Sequence, residues 1–346
     1  MRRRGKPMFR LDEKLARIRA GAYRRSDFII ADAKDPDMGP GLHAVGPARQ
    51  RDGSSTGFRT RAEFVASIEA VIRQDIVDVM LTSASNLERL VARDAFAATG
   101  VKPAIRANDA TDIWVLRGAR YAKSPSRPFR TASLSRVRSG GAAAQPSAKI
   151  ALTDLGLYSI TFTNDIDADV ASLEAFREFR AEAAANDFHY FLEVFNPNVA
   201  GVAPEIMPHF VNDAIVRCLA GLVEAERPRF LKVAYNGPRA LEELASFDPG
   251  LVVGVLGGGA GTTRDCFELI HQAQKYGARV ALFGRKINLA ESPLDIVRLM
   301  RAVADGALAP DEAVTAYHDA LRREGVTPVR DPAADNEITE AVLRQG

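Results

Sequence analysis

The stretch Phe230-Leu231-Lys232-Val233-Ala234-Tyr235-Asn236-Gly237 sets a single lysine in an apolar run. Successive side chains of a strand face opposite ways, so Leu231 and Val233 share one face and Lys232 takes the other. Two more apolar runs follow, residues 251–256 and 279–283, with helical periodicity over 264–276 between them. Strands alternating with helices imply a parallel sheet wrapped by helices.

Working outward, the same rhythm extends upstream. Further strand-like runs lie at residues 28–33, 76–82, 104–108, 157–163 and 190–195. Helical periodicity is clearest at 61–73, 172–186, 213–226, 293–305 and 310–324. Ser292-Pro293 puts proline at a first helical position, and Thr263 with Arg264-Asp265 opens another helix. Eight strands of this kind fit an α/β fold of the TIM (β/α)8-barrel class, spanning residues 27–330 after an N-terminal extension over 1–26. A C-terminal tail covers 331–346. A doubly wound open sheet is the architectural alternative.

In such a barrel the chemistry sits at the C-terminal ends of the strands. Parity expects Glu193 inside, opposite Leu192 and Val194, and Thr161 and Thr163 inside, opposite Ile160 and Phe162. Asp32 lies on the face opposite Ile29 and Ala31, and is expected inside as well. A lysine held in an apolar strand is desolvated, which lowers its pKa toward neutrality, and a neutral amine can attack a carbonyl. The bland alternative is a lysine that snorkels to solvent from a strand end.

Gly257-Gly258-Gly259-Ala260-Gly261-Thr262-Thr263 follows one strand and opens a helix. Converging backbone N–H groups and the helix dipole suit a phosphate there. Gly284-Arg285 follows the next strand and adds a guanidinium fit for bidentate contacts with an oxyanion. A purely structural turn is the competing reading.

Other features carry less. Forty-six basic against 44 acidic residues leave a net charge of +2, which makes no case for nucleic acid or membrane as partner. Two cysteines, Cys218 and Cys266, exclude a disulfide framework; both sit in helical patterns and read as core, and a cytoplasmic setting is expected. No apolar run reaches the ~18 residues of a membrane helix. His189 and His209 show no metal-ligand spacing, so no metal is expected. Asn108 and Asp109, after the third strand, are either site residues or a turn. Residues 117–149 hold eight basic residues, Lys149 the last, and no acidic one. This long loop after strand 3 is a solvated insertion, a lid that recruits an anion or, least favoured for want of aromatic residues, a nucleic-acid contact.

Residues 231–237, Gly257-Gly258-Gly259 and Gly284-Arg285-Lys286-Ile287-Asn288 together resemble the class I, Schiff-base aldolase group that includes archaeal-type fructose-bisphosphate aldolases and deoxyribose-phosphate aldolases. Asp32, with Gly39-Pro40 beyond it, is similar to that group's first-strand acid. The resemblance implies an imine on Lys232, a carboxylate at Asp32 assisting proton transfer, and a phosphate held by Gly257, Gly258, Gly259, Gly284 and Arg285. Thr161 is a candidate for substrate hydroxyls. It further implies a small phosphorylated or otherwise anionic carbonyl substrate, no cofactor, and a homo-oligomer. One departure matters: where the fructose-bisphosphate enzymes carry a catalytic tyrosine late on the fifth strand, this chain offers Glu193 and Phe195. Glu193 is the natural replacement, since a desolvated carboxyl can shuttle protons. Tyr235 is a second possible donor, but its parity turns it from Lys232. The expected function is class I aldol cleavage or synthesis. A fragment transferase on the same lysine and a non-catalytic barrel binding a phosphorylated metabolite are the rivals.

Overall fold

The computed structural model describes residues 9–139, 152–259 and 261–346. The first eight residues of the N-terminal extension, residues 140–151 of the basic loop with Lys149, and Ala260 lie outside the described residues.

Eight parallel strands close a barrel: β1 Ile29–Lys34, β2 Val79–Thr82, β3 Lys102–Arg106, β4 Leu155–Thr161, β5 His189–Phe195, β6 Leu231–Val233, β7 Gly254–Leu256 and β8 Val280–Phe283. Around the ring they run β1-β8-β7-β6-β5-β4-β3-β2 and back to β1, so the open-sheet alternative is excluded. Each overlaps an expected run. The helices are α1 Arg10–Arg19, α2 Arg61–Gln74, α3 Ala84–Val91, α4 Leu134–Ser139, α5 Ile166–Ala185, α6 Met207–Leu219, α7 Pro238–Phe247, α8 Thr263–Lys275, α9 Arg285–Leu289, α10 Pro293–Asp305, α11 Pro310–Glu324 and the short α12 Pro332–Asp335.

Helix ends follow local chemistry. Both α10 and α11 begin with proline and stop at Gly306 and Gly325, whose φ of 77° and 66° give left-handed C-caps. α5 starts six residues before its apolar periodicity suggests, because Asp165 accepts the N–H of Ala168 and caps it there. α6 lies earlier than expected: Pro208 opens it, and the chain past Leu219 turns through a short 3-10 helix at Glu224–Glu226.

The core is divided by the strand pleat. Ile29, Ala31, Val79, Leu81, Leu157, Phe191, Val280 and Leu282 point inward and fill the lower barrel. Ile30, Met80, Ile160, Leu192, Val233 and Phe283 point outward against the helices. The expected N-terminal extension contains α1, whose Leu11, Leu15 and Ile18 recur at helical spacing and join the inner cluster. α1 therefore plugs the floor of the barrel. Asp78, fully buried, locks it there: it accepts Arg10 Nε at 2.8 Å, Lys14 Nζ at 3.0 Å, Arg301 Nη2 at 2.9 Å and the backbone N–H of Ile30 at 2.9 Å. Among the described residues no helix is long and apolar enough to cross a membrane.

Candidate active site

At the C-terminal ends of the strands lies a cleft of about 430 Å³. Its floor is built by three strands in register. Lys232 on β6 stands beside Glu193 on β5, which stands beside Ser159 on β4. All three point inward, as parity required. Lys232 is 7% exposed, and its Nζ lies 2.5 Å from Glu193 Oε1. Ser159 Oγ donates to Glu193 Oε2 at 2.6 Å.

Arg106, on β3, completes this cluster and was not singled out from the sequence. Its Nη2 donates to Ser159 Oγ at 2.9 Å and stands 3.5 Å from Glu193 Oε2. Nη1 donates to Asp35 Oδ2 at 2.8 Å, and Nε to the carbonyl of Asn108 at 3.0 Å. A buried guanidinium is tolerable only when its fork is filled, and here each arm has a partner. The signal was present: in Lys102-Pro103-Ala104-Ile105-Arg106 the alternate residues share the inward face with Leu157 of the next strand. Asn108 belongs to the support. Its side chain donates to the Ser159 carbonyl at 2.9 Å and accepts the Ser159 N–H at 2.7 Å. Asp109 pairs with Phe129 in a short antiparallel ladder and is not among the residues that line the cleft.

Asp32 does not join the site. It shares the outward face with Ile30 and Lys34, level with Met80 and Phe283, while Ala31 and Ala33 point inward. The inward expectation failed because the lower barrel is itself apolar, so an apolar face is not always the outer one. The carboxylate that lines the cleft from this segment is Asp35, just beyond β1. Asp32 instead meets Lys34 Nζ at 3.2 Å, and neither charged end has a hydrogen bond. Burial drives Asp32 up to about 6 despite Lys34, and burial likewise lowers Lys34.

This pair yields a stability prediction. Replacing a poorly bonded buried pair by apolar side chains should be neutral or stabilise by ~1–4 kcal/mol, whereas Lys34→Met alone should cost ~3–5 kcal/mol by stranding Asp32. Asp32 binds its proton more tightly folded than unfolded. Its contribution is therefore fully present below its ordinary value of 3.8 and is lost as pH rises through about 6. Urea unfolding at intervals across that window should show the Asp32→Leu/Lys34→Met protein gaining on wild type as pH rises, with turnover retained.

The glycine loop sits at the end of β7. A Cβ on Gly257 would lie 2.5 Å from Phe283 and 2.8 Å from the Leu282 carbonyl, so only glycine lets this turn press on β8. Gly258 has φ +61°, and Arg285 Nη2 donates to its carbonyl at 2.7 Å. Gly257, Gly258, Gly284 and Arg285 line the cleft together with Lys232. Gly259 turns away, beside Glu340, and lines a separate cavity behind the loop. The start of α8 does not line the cleft either. Thr262 caps it with Asp265 in a capping box, and Asp335 accepts the Thr263 N–H at 2.8 Å. The helix dipole is thus matched by the chain's own carboxylates, Asp335 coming from the expected C-terminal tail. That tail is stitched down further, with Thr339 N–H on Asp265 at 2.8 Å and Leu343 buried.

Thr161 is buried and inward, and its hydroxyl donates to Asp112 Oδ2 at 2.6 Å. Tyr235 faces outward and donates to Gln272 at 2.7 Å, with burial pushing its pKa up. Burial pushes Cys218 up to about 11 and Cys266 up to about 12, which suits core packing rather than nucleophilic chemistry. His209 approaches Glu243 at the surface. Among the described residues no group of three or more His, Cys, Asp or Glu could hold a metal ion. In the basic loop, Arg130 pairs with Glu182 and Arg138 with Asp187, and Trp114 stacks on Tyr121. Asp112, Ile113 and Val115, just ahead of that loop, line the cleft, and none of the loop's described residues does.

No protein-family model matches the sequence, and no curated protein does. Solved structures do match the fold. An archaeal fructose 1,6-bisphosphate aldolase superposes with a TM-score of 0.60 at 16% identity, covering 86% of this chain and 99% of its own. A Schiff-base-forming fructose-1,6-bisphosphate aldolase gives 0.59 at 17% identity, covering 85% and 99%. The fructose-bisphosphate aldolase from Slackia heliotrinireducens gives 0.62 at 13% identity, covering 90% and 91%. At these identities the likeness shows a shared barrel.

Proposed function

We propose that the chain is a class I, aldolase-like carbon–carbon lyase that works through an imine on Lys232. The observation that carries this reading is the buried Lys232–Glu193 pair, 2.5 Å apart, at the catalytic end of the barrel and in one cleft with Arg285 and the glycine turn. A lysine beside a carboxylate can pass it a proton, and the neutral amine then adds to a carbonyl. The carbinolamine hydroxyl takes that proton back from Glu193 and leaves as water, which gives the iminium and frees the carboxylate. Its nitrogen receives the electron pair of the breaking carbon–carbon bond, while a base takes the hydroxyl proton of the leaving aldehyde fragment. We assign the taking and returning of that proton to Glu193, whose carboxylate lies 2.5 Å from Lys232 Nζ. The resulting enamine is protonated on carbon, and water releases the second product. The aldolase names of the structural neighbours support the assignment as analogy.

Gly257, Gly258, Gly284 and Arg285 are assigned to the substrate's anionic group. Arg285→Ala should raise KM by about 10- to 100-fold, the worth of a lost charge-assisted contact. Sulfate or inorganic phosphate should compete with substrate in the parent protein. An unchanged KM with no inhibition by either anion would leave the loop as a turn. Borohydride trapping tests the imine: reduction should fix a carbonyl compound to Lys232, and a barrel that only binds its ligand would give no adduct.

A further inference from the structure

The two sides of the cleft differ in kind. Gly257 and Gly258 follow β7, and Gly284 and Arg285 follow the adjacent β8. Ile113, Val115 and Asp112 follow β3, four strands from β7 whichever way the ring is traced. Donors for an oxyanion therefore stand on one side of the mouth, and apolar and acidic groups stand across from them. Met38 and Pro40 also line the cleft, from the loop after β1, a strand that neighbours β8 in the ring, and Phe195 of β5 lines it midway between β3 and β7. The two loops are packed together, since a Cβ on Gly39 would lie 3.3 Å from the Ile113 carbonyl. Val115 is nonetheless 50% exposed, an apolar surface left for something to cover.

Charge sharpens the contrast. The cations lining the cleft are Lys232, Arg106 and Arg285. Lys232 is the proposed nucleophile, and Arg106 already serves Asp35, Ser159 and the Asn108 carbonyl. Arg285 spends Nη2 on the Gly258 carbonyl and is the one left with donors to meet a substrate anion. The β3 side holds Asp112, which already accepts from Thr161 and from Ser126, and Asp35, from the loop after β1, meets that side through its bond to Arg106. A second phosphate at that end would meet two carboxylates and a hydrocarbon wall, with no free cation among the lining residues. An uncharged apolar group would bury Ile113 and Val115 at no electrostatic cost.

We infer that the substrate is a phosphomonoester carbonyl compound with one anionic end, at Gly257, Gly258 and Arg285, and an uncharged, largely apolar group at the other, against Met38, Ile113, Val115 and Phe195. This rests on the proposed Lys232 reaction for the carbonyl in between, but the two parts are testable apart. Binding of n-alkyl monophosphates from methyl to hexyl, read by calorimetry, needs no imine. Affinity should rise about two- to fourfold per methylene over the first four or five carbons. 1,6-Hexanediol bisphosphate should bind at least tenfold more weakly than hexyl phosphate. Ile113→Ser/Val115→Ser should flatten the chain-length series and leave inorganic phosphate binding unchanged. Asp112→Asn should narrow the gap between bisphosphate and monophosphate. A flat series in the parent protein, or tighter binding of the bisphosphate, would overturn the inference. If the series behaves as expected but borohydride fixes neither a short nor a long phosphorylated aldehyde to Lys232, the cleft assignment stands and the imine reading falls. If both aldehydes are fixed equally and the alkyl series is flat, the reverse holds.

Discussion

Lys232→Met should lower turnover by roughly 10⁴-fold or more while the protein still folds, because the covalent route to the carbonyl is lost. Methionine matches the length and apolar stem of lysine, and Glu193 keeps Ser159 at 2.6 Å and Arg106 at 3.5 Å as partners. The barrel should therefore tolerate the change, and thermal unfolding alongside the assay separates a dead site from a lost fold. The assignment is specific among the lysines that are not exposed. Lys14 and Lys102, both buried, pair with Asp78 and Asp154. Lys34 is 1% exposed and lies on the outer face of β1, paired with Asp32. Lys286 donates to the Gly261 carbonyl and the Thr263 hydroxyl. After borohydride reduction with a carbonyl substrate, peptide mapping should place the added mass on Lys232 and on none of the others. A folded Lys232→Met protein with parent activity would end the imine mechanism.

Glu193→Gln should leave imine trapping possible yet slow product formation by roughly 10²–10⁴-fold, the usual contribution of a positioned proton-transfer group. The contacts around Glu193 set up a real competition of roles. One oxygen faces Lys232, and the other is held by Ser159 with Arg106 close by. A carboxylate so held could serve only to fix the lysine in place. In that case glutamine would chiefly impair imine formation, and whatever imine formed would go on to product at the parent rate. Single-turnover measurement of both steps in one variant distinguishes them. Normal turnover would remove Glu193 from the mechanism and direct attention to Asp35, the other carboxylate on Arg106.

The sequence made the barrel legible because its strands carry two apolar faces at a period of two, and those between glycine-rich turns admit few other readings. Lys232 and Glu193 were legible for the same reason: each is a charge flanked by apolar neighbours, and on these two strands those neighbours do face outward. Asp32 was misplaced because Ile29 and Ala31 are apolar too, and only the pairing with β2 and β8 shows which apolar face is the inner one. Arg106 went unnoticed because β3 reads as a weak strand, with Pro103 inside it and Lys102 at its start. The filling of the α8 N-terminus by Asp335 joins residues 72 positions apart, which no local pattern announces. α1 was visible in principle from Leu11, Leu15 and Ile18, but its charged residues hid the stripe.

The Asp78 hub and the β1–β8 seam bear on how the chain reaches its native state. Arg301 reaches Asp78 across 223 residues and the Phe28 carbonyl across 273. Until β8 is made and docked, β1 presents an unpaired strand edge, the kind of surface that templates association between chains. The floor is unfinished over the same interval, because α1 and Asp78 wait for their last guanidinium. Ring closure joins the extremes of the fold, and its loop entropy is met only once nearly all other contacts exist. During synthesis the growing chain therefore carries an open, adhesive seam for most of its length, and its yield in the cell depends on how quickly that seam finds its far side.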